Sequence, residues 1–78
     1  MTEDEKKLCN IFAEISNRKN AAEARLESRI GDFELDSLDV VEILMKIHEE
    51  FNLDIPIDTF LFFDDIFSVY EEILRSRT

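Results

Sequence analysis

The residues that usually punctuate a chain are nearly missing. Among 78 residues there is one glycine, Gly31, and one proline, Pro56. Turn-rich, many-stranded folds draw heavily on both, so a few helices are expected instead. Cys9 is the only cysteine, which excludes an internal disulfide. With the single histidine, His48, it cannot assemble a structural zinc site. No apolar run approaches the roughly 20 residues of a membrane-spanning helix. The opening Met1-Thr2-Glu3-Asp4-Glu5 has neither a basic nor an apolar targeting region, so the cytoplasm is the expected compartment. Positive charge is also scarce. Nine Lys and Arg face nineteen Asp and Glu, a net charge of −10 with a pI near 4.3. That field repels nucleic acid and anionic membranes. It favours partners with basic patches, met through fast, salt-sensitive encounters.

What is present is apolar and acidic. Hydrophobic residues make up 45% of the chain, enough for one thin core in a domain that buries only about 60–65% of its unfolded surface. One monomeric, all-α domain covering residues 1–78 is expected, a small four-helix bundle with a long loop between the first two helices.

The chain is organised around Asp36-Ser37-Leu38-Asp39 and the run from Val40 to Phe51. Asp36 is a strong helix N-cap, and Asp39 stands where the return partner of a capping box belongs. Ser37 then falls in the first helical turn, its hydroxyl exposed near the positive end of the helix dipole, where a phosphate is well tolerated. At about 100° per residue, Val40, Ile43, Leu44, Ile47 and Phe51 form one apolar stripe. Leu38, Val41 and Met45 form a second, flanked by Glu42 and Glu49, and Asp39, Glu42, Lys46, Glu49 and Glu50 take most of the remaining, polar side. One stripe suffices to dock a helix. The first is assigned to the core and the second to a partner-binding face.

The segment Asp32-Phe33-Glu34-Leu35-Asp36-Ser37-Leu38-Asp39 resembles the signature of acyl carrier proteins, in which a D-L-G-x-D-S-L-D-like stretch carries the modified serine. Val41-Glu42, Met45, Glu49-Glu50-Phe51, Ile55-Pro56 and Asp58 continue the likeness. The resemblance implies that a phosphopantetheinyl transferase attaches 4′-phosphopantetheine covalently to Ser37, with Asp36 assisting the modification. It further implies that acyl-loading and acyl-processing enzymes with basic docking patches contact Leu38, Val41, Glu42, Met45 and Glu49. The sequence departs from the pattern in four places. Glu34 and Leu35 replace Gly and Ala, His48 replaces an acidic residue, and Leu61-Phe62 replace polar residues. These departures point toward a dedicated lipid or secondary-metabolite pathway as much as toward general fatty-acid synthesis.

In chain order, Leu8, Ile11, Phe12 and Ile15 predict a first helix from Thr2 to about Asn17, opened by a Thr2–Glu5 box. Cys9 lies at the flank of its stripe, with acidic neighbours that raise the thiol pKa. Arg18-Lys19-Asn20 complement that helix's end. In the connection from Ala21 to Leu35, Ala22 to Ser28 can hold one or two helical turns. Leu26, Ile30 and Phe33 fold back on the core, and Gly31 is expected to supply a positive φ. Asp32, Glu34, Asp36 and Asp39 do not form a calcium loop, because Ser37 and Ile43 stand where glycine and glutamate are required; no metal site is expected. The second helix spans Ser37 to Phe51. Asp58 is expected to cap a short helix over Thr59–Phe63 that turns Phe60 and Phe63 inward, which narrows any internal acyl tunnel. Leu61 and Phe62 then face outward and extend the docking face. Asp64-Asp65 cap a last helix from Ile66 to about Arg75 with core residues Ile66, Val69, Tyr70 and Ile73, and Arg75 and Arg77 complement its end.

No catalytic constellation is present. His48 lies three turns from Ser37 and cannot act as its base, no second histidine is available, and no glycine-rich phosphate loop exists. An enzyme is therefore not expected, and the resemblance to acyl carrier proteins implies a carrier. An aminoacyl or peptidyl carrier and an unmodified helical interaction module are the alternatives.

Overall fold

The computed structural model describes residues 2–17 and 24–77. Four helices follow in order: α1 (Glu3–Asn17), α2 (Ser37–Phe51), α3 (Ile57–Phe60) and α4 (Ile66–Ser76), with a 3₁₀ helix at Ile30–Phe33 between α1 and α2. The described residues contain no β-strand beyond an isolated bridge between Arg29 and Asp65. None of the described helices is long and apolar enough to cross a membrane.

Each helix is positioned by its apolar spacing and by its caps. The Thr2 hydroxyl accepts the Glu5 N–H and donates to the Glu5 carboxylate, both at 3.2 Å, so the expected start of α1 holds. Leu8, Ile11, Phe12 and Ile15 are buried, and α2 contributes Val40, Ile43, Ile47 and Phe51 from the opposite side. Ile66, Val69 and Ile73 of α4 close the core, with Tyr70 packed at its edge. A run of aromatic rings crosses the centre. Phe12 lies 5.8 Å from Phe33 and 6.3 Å from Phe60, and Phe60 meets Phe63 edge-on at 6.3 Å. Cys9 is more deeply buried than a flank position suggests. Burial first, then Glu5 and Glu27, push its thiol pKa up.

The loop between α1 and α2 departs from expectation in two respects. Of the helical turns expected over Ala22–Ser28, the described residues 24–28 form only a turn at Leu26-Glu27; the rest of that stretch, like Arg18-Lys19-Asn20, lies outside the described residues. Gly31 does not take a positive φ, which belongs instead to Glu34 at 52°. The reason is the 3₁₀ helix: Gly31 sits inside it, while Glu34 ends it and returns its N–H to the Gly31 carbonyl. Leu26, Ile30 and Phe33 do fold back on the core as expected.

The loop is held by the start of α4. Helix N-termini leave N–H groups without intrahelical partners. Here Ile66 N–H donates to the Ser28 carbonyl at 3.1 Å and Phe67 N–H to the Leu26 carbonyl at 2.8 Å. Ser68 N–H donates to Asp65 Oδ1 at 2.9 Å. Asp65 alone is therefore the side-chain cap; Asp64 contributes its carbonyl, which accepts the Ile30 N–H at 2.9 Å.

The short third helix is also corrected. It begins at Ile57, directly after Pro56 in the N-cap position, and Asp58 lies within its first turn rather than capping it. Proline's fixed φ suits a helix start, so the helix forms two residues earlier than a side-chain cap would allow. At the far end of the chain, Arg77 pairs with the Asp4 carboxylate and lies over the Phe51 ring at 5.7 Å. It ties α4 to α1 and α2, while Arg75 pairs with Glu72 one turn back.

Candidate functional site

Ser37 is the first residue of α2, and its surroundings fix that position firmly. Asp36 is extended, with φ −91° and ψ −179°. Asp39 N–H donates to Asp36 Oδ1 at 2.9 Å, and Asp36 N–H donates to Asp39 Oδ2 at 3.1 Å. The reciprocal box draws Asp39 inward; it is buried, whereas helical periodicity alone put it on the polar side. Its carboxylate accepts the Asp36 N–H at the positive end of the helix dipole. Upstream, the buried Phe33 anchors the chain four residues before the serine. Downstream, the buried Val40 anchors it three residues after. Ser37 itself is exposed. The site is thus a rigid pedestal that presents one hydroxyl to solvent.

Glu34, three residues before the serine, is one of two described non-glycine residues with positive φ; the other is Asn52, the C-cap of α2. A side chain in the left-handed region costs about 1–2 kcal/mol relative to glycine. The loop therefore keeps, at some cost, a backbone shape that glycine adopts freely.

Beyond the serine, the second stripe faces outward as expected. Leu38 is 74% exposed, Met45 59% and Val41 40%. Glu42 and Glu49 flank it, and the one Lys of α2, Lys46, leans the other way to Glu14 of α1 at 3.7 Å. A groove of about 340 Å³ runs beside this face between α2 and α3, lined by Val41, Met45, His48, Asp54, Ile55 and Ile57 among others. His48 lines it with its Nδ1 2.7 Å from the Asp54 carboxylate, three helical turns from Ser37. Sequence reasoning missed this pairing because it depends on how the loop after α2 turns back. Leu61 and Phe62 are exposed as expected, past the end of α3. No group of three or more His, Cys, Asp or Glu among the described residues is arranged to hold a metal ion.

This is the architecture of a helical carrier domain. The family model described as a phosphopantetheine attachment site matches residues 6–69, and the chain belongs to that family, whose members carry 4′-phosphopantetheine covalently on a serine and act as carriers rather than catalysts. Among curated relatives, the acyl carrier protein of Porphyromonas gingivalis is 38% identical over 58 residues, 74% of each chain. The acyl carrier protein of Buchnera aphidicola subsp. Schizaphis graminum is 40% identical over 55 residues, 70% of each. No solved structure matches the chain. The residues fit the prosthetic group. An exposed hydroxyl at the start of a 15-residue helix can hold a phosphodiester, whose negative charge the helix dipole and the first-turn N–H groups stabilise.

Proposed function

We propose that this protein is an acyl carrier whose phosphopantetheine is attached at Ser37. The observation that carries the reading is the exposed Ser37 behind the Asp36–Asp39 box, within the segment matched to the attachment-site family. The arm, when bound, supplies a thiol that holds an acyl group as a thioester. The chain's own residues provide the rest. Ser37 Oγ is the attachment atom, kept outward by the capping box, and the Asp36 carboxylate beside it assists the modification. Leu38, Val41 and Met45, flanked by Glu42 and Glu49, form the face on which the phosphopantetheinyl transferase and the acyl-handling enzymes dock through apolar contact inside a ring of basic groups. A cytoplasmic monomer is the setting that this acidic surface suits, and the departures at Glu34, Leu35 and residues 60–63 fit a dedicated acyl pathway at least as well as general fatty-acid synthesis. The names of the relatives favour an acyl cargo over an aminoacyl or peptidyl one.

The test is an intact mass after co-expression with a broad-specificity phosphopantetheinyl transferase. The wild-type chain gains one phosphopantetheine and Ser37→Ala gains none while keeping its helical circular-dichroism spectrum. Modification of another serine, or none in the wild type, overturns the assignment.

A further inference from the structure

Leu61 and Phe62 lie just past α3, and their exposures, 67% and 85%, are among the highest of the large apolar side chains described. They are not loose ends. Leu61 N–H donates to the Ile57 carbonyl at 3.0 Å, Phe62 N–H to Thr59 at 3.1 Å and Phe63 N–H to Phe60 at 3.0 Å. On either side, the buried Phe60 and the core-packed Phe63 clamp the turn. A rigid backbone thus presents two apolar side chains to water, at a cost that the fold does not recover.

The surroundings of the pair define what covers it. Leu61 lines a cavity of about 380 Å³ together with Glu34, Leu35 and Val40, the flanks of Ser37. One helical turn back, the exposed Ile57 lines the groove shared with Val41 and Met45. Exposed apolar side chains thus recur from Val41 and Met45 of α2 through Ile57 of α3 to Leu61 and Phe62. The charged residues within and flanking α3 and its turn in sequence, Asp54, Asp58, Asp64 and Asp65, are all acidic; the one cation lining the Leu61 cavity among the described residues, Arg29, is joined to Asp65 by the isolated β-bridge. A second copy of a chain with net charge −10 would bring like charges together, and an anionic membrane surface would be repelled.

Building on the carrier reading, we propose that Leu61 and Phe62 are a second docking anchor, inserted into an apolar pocket rimmed by Lys or Arg on the enzyme that loads this carrier. A few preorganised aromatic and aliphatic anchors commonly dominate such interfaces, and a turn already held by its own hydrogen bonds loses little freedom on binding. Two anchors on different elements also fix the carrier's rotation over the loading site, which one helix face leaves free.

The experiment uses the wild-type chain, the double variant Leu61→Gln/Phe62→Gln and the single variant Phe62→Gln, each in apo and phosphopantetheinylated form, with the purified acyl-loading enzyme of the same organism as probe. The expected result is a loss of affinity of tenfold or more in the double variant, a smaller loss in the single one, unchanged melting temperatures, and wild-type binding that weakens as salt is raised. Unchanged affinity overturns the proposal, and salt-insensitive binding overturns the basic rim. Cooperative unfolding of both variants would make the side chains core. A wild-type dimer dissolved by the substitutions would make a second copy the occupant. If Ser37 takes no phosphopantetheine, the carrier reading fails separately, and binding of the apo proteins still decides whether the anchor exists.

Discussion

The two apolar stripes of α2 share one helix, one capping box and the same kinds of residue, yet they have opposite fates. Val40, Ile43, Ile47 and Phe51 are buried in the core, chiefly on the side of α1, while Leu38, Val41 and Met45 remain in water. Leu44, assigned to the inner stripe, is only partly buried at the boundary between them. The contrast separates two uses of hydrophobicity in a domain too small to waste it. The inner stripe holds the fold together. The outer stripe adds little to the fold; on the proposed reading it is left for a partner enzyme, and the carboxylates beside it favour a basic one.

The sharpest way to break the comparison is to cut into each stripe in turn. Ile43→Ala removes a fully buried side chain, and such truncations cost about 2–5 kcal/mol, a large part of the ~5–15 kcal/mol that stabilises a typical domain. Urea unfolding should show a greatly lowered midpoint or a chain already unfolded. Met45→Ala, two residues along but outward, should change stability by no more than about 0.5 kcal/mol. It should instead raise the KM of the transferase for this substrate, as should Glu42→Lys through lost charge complementarity. If Met45→Ala melted the protein as severely as Ile43→Ala, the division into core and docking stripes would collapse.

A smaller effect tests the cap of α4, the helix that closes the core over the inner stripe. Asp65 at the head of α4 accepts the Ser68 hydroxyl at 2.8 Å and the Ser68 N–H at 2.9 Å. These two bonds to its ionised form, with Arg29 nearby, hold its pKa below the ordinary aspartate value. A carboxylate whose pKa is lower folded than unfolded stabilises the fold above its unfolded value and loses that contribution as pH falls through its folded one. Asp65→Ala should therefore cost about 1 kcal/mol near neutral pH, the usual worth of an N-cap. The gap from wild type should narrow in unfolding curves recorded at progressively lower pH. A gap that stayed constant into strong acid would show that the ionised cap does not matter.

Much of the molecule was legible because it depends on neighbours in sequence. The helix over Ser37–Phe51, its Asp36–Asp39 box and the exposure of Ser37 follow from capping chemistry within four residues. The split of α2 into two stripes follows from a 3.6-residue period. The outward turn of Leu61 and Phe62 follows from the inward pull of Phe60 and Phe63. The errors fell where local rules compete. Gly31 was the obvious residue for a left-handed turn, but the 3₁₀ helix placed that conformation at Glu34. Asp58 was a good cap, but Pro56 allowed an earlier start. Periodicity put Asp39 on the polar side, and its part in the box drew it inward.

The sequence by itself determined the helical class, the attachment-site motif and the acidic character of the surface, because each is written in spacing and composition over short stretches. Only the tertiary structure decided how the long loop is held. Ser28 and Leu26 carbonyls take up the first N–H groups of α4, some 38 to 41 residues away in the chain, and Arg77 reaches back to Asp4 and Phe51. It also decided that α2 and α3 share a groove and that Leu61 stands beside the flanks of Ser37. Such pairings depend on which unsatisfied backbone group or ring comes within reach once the core has closed, and no local pattern encodes that.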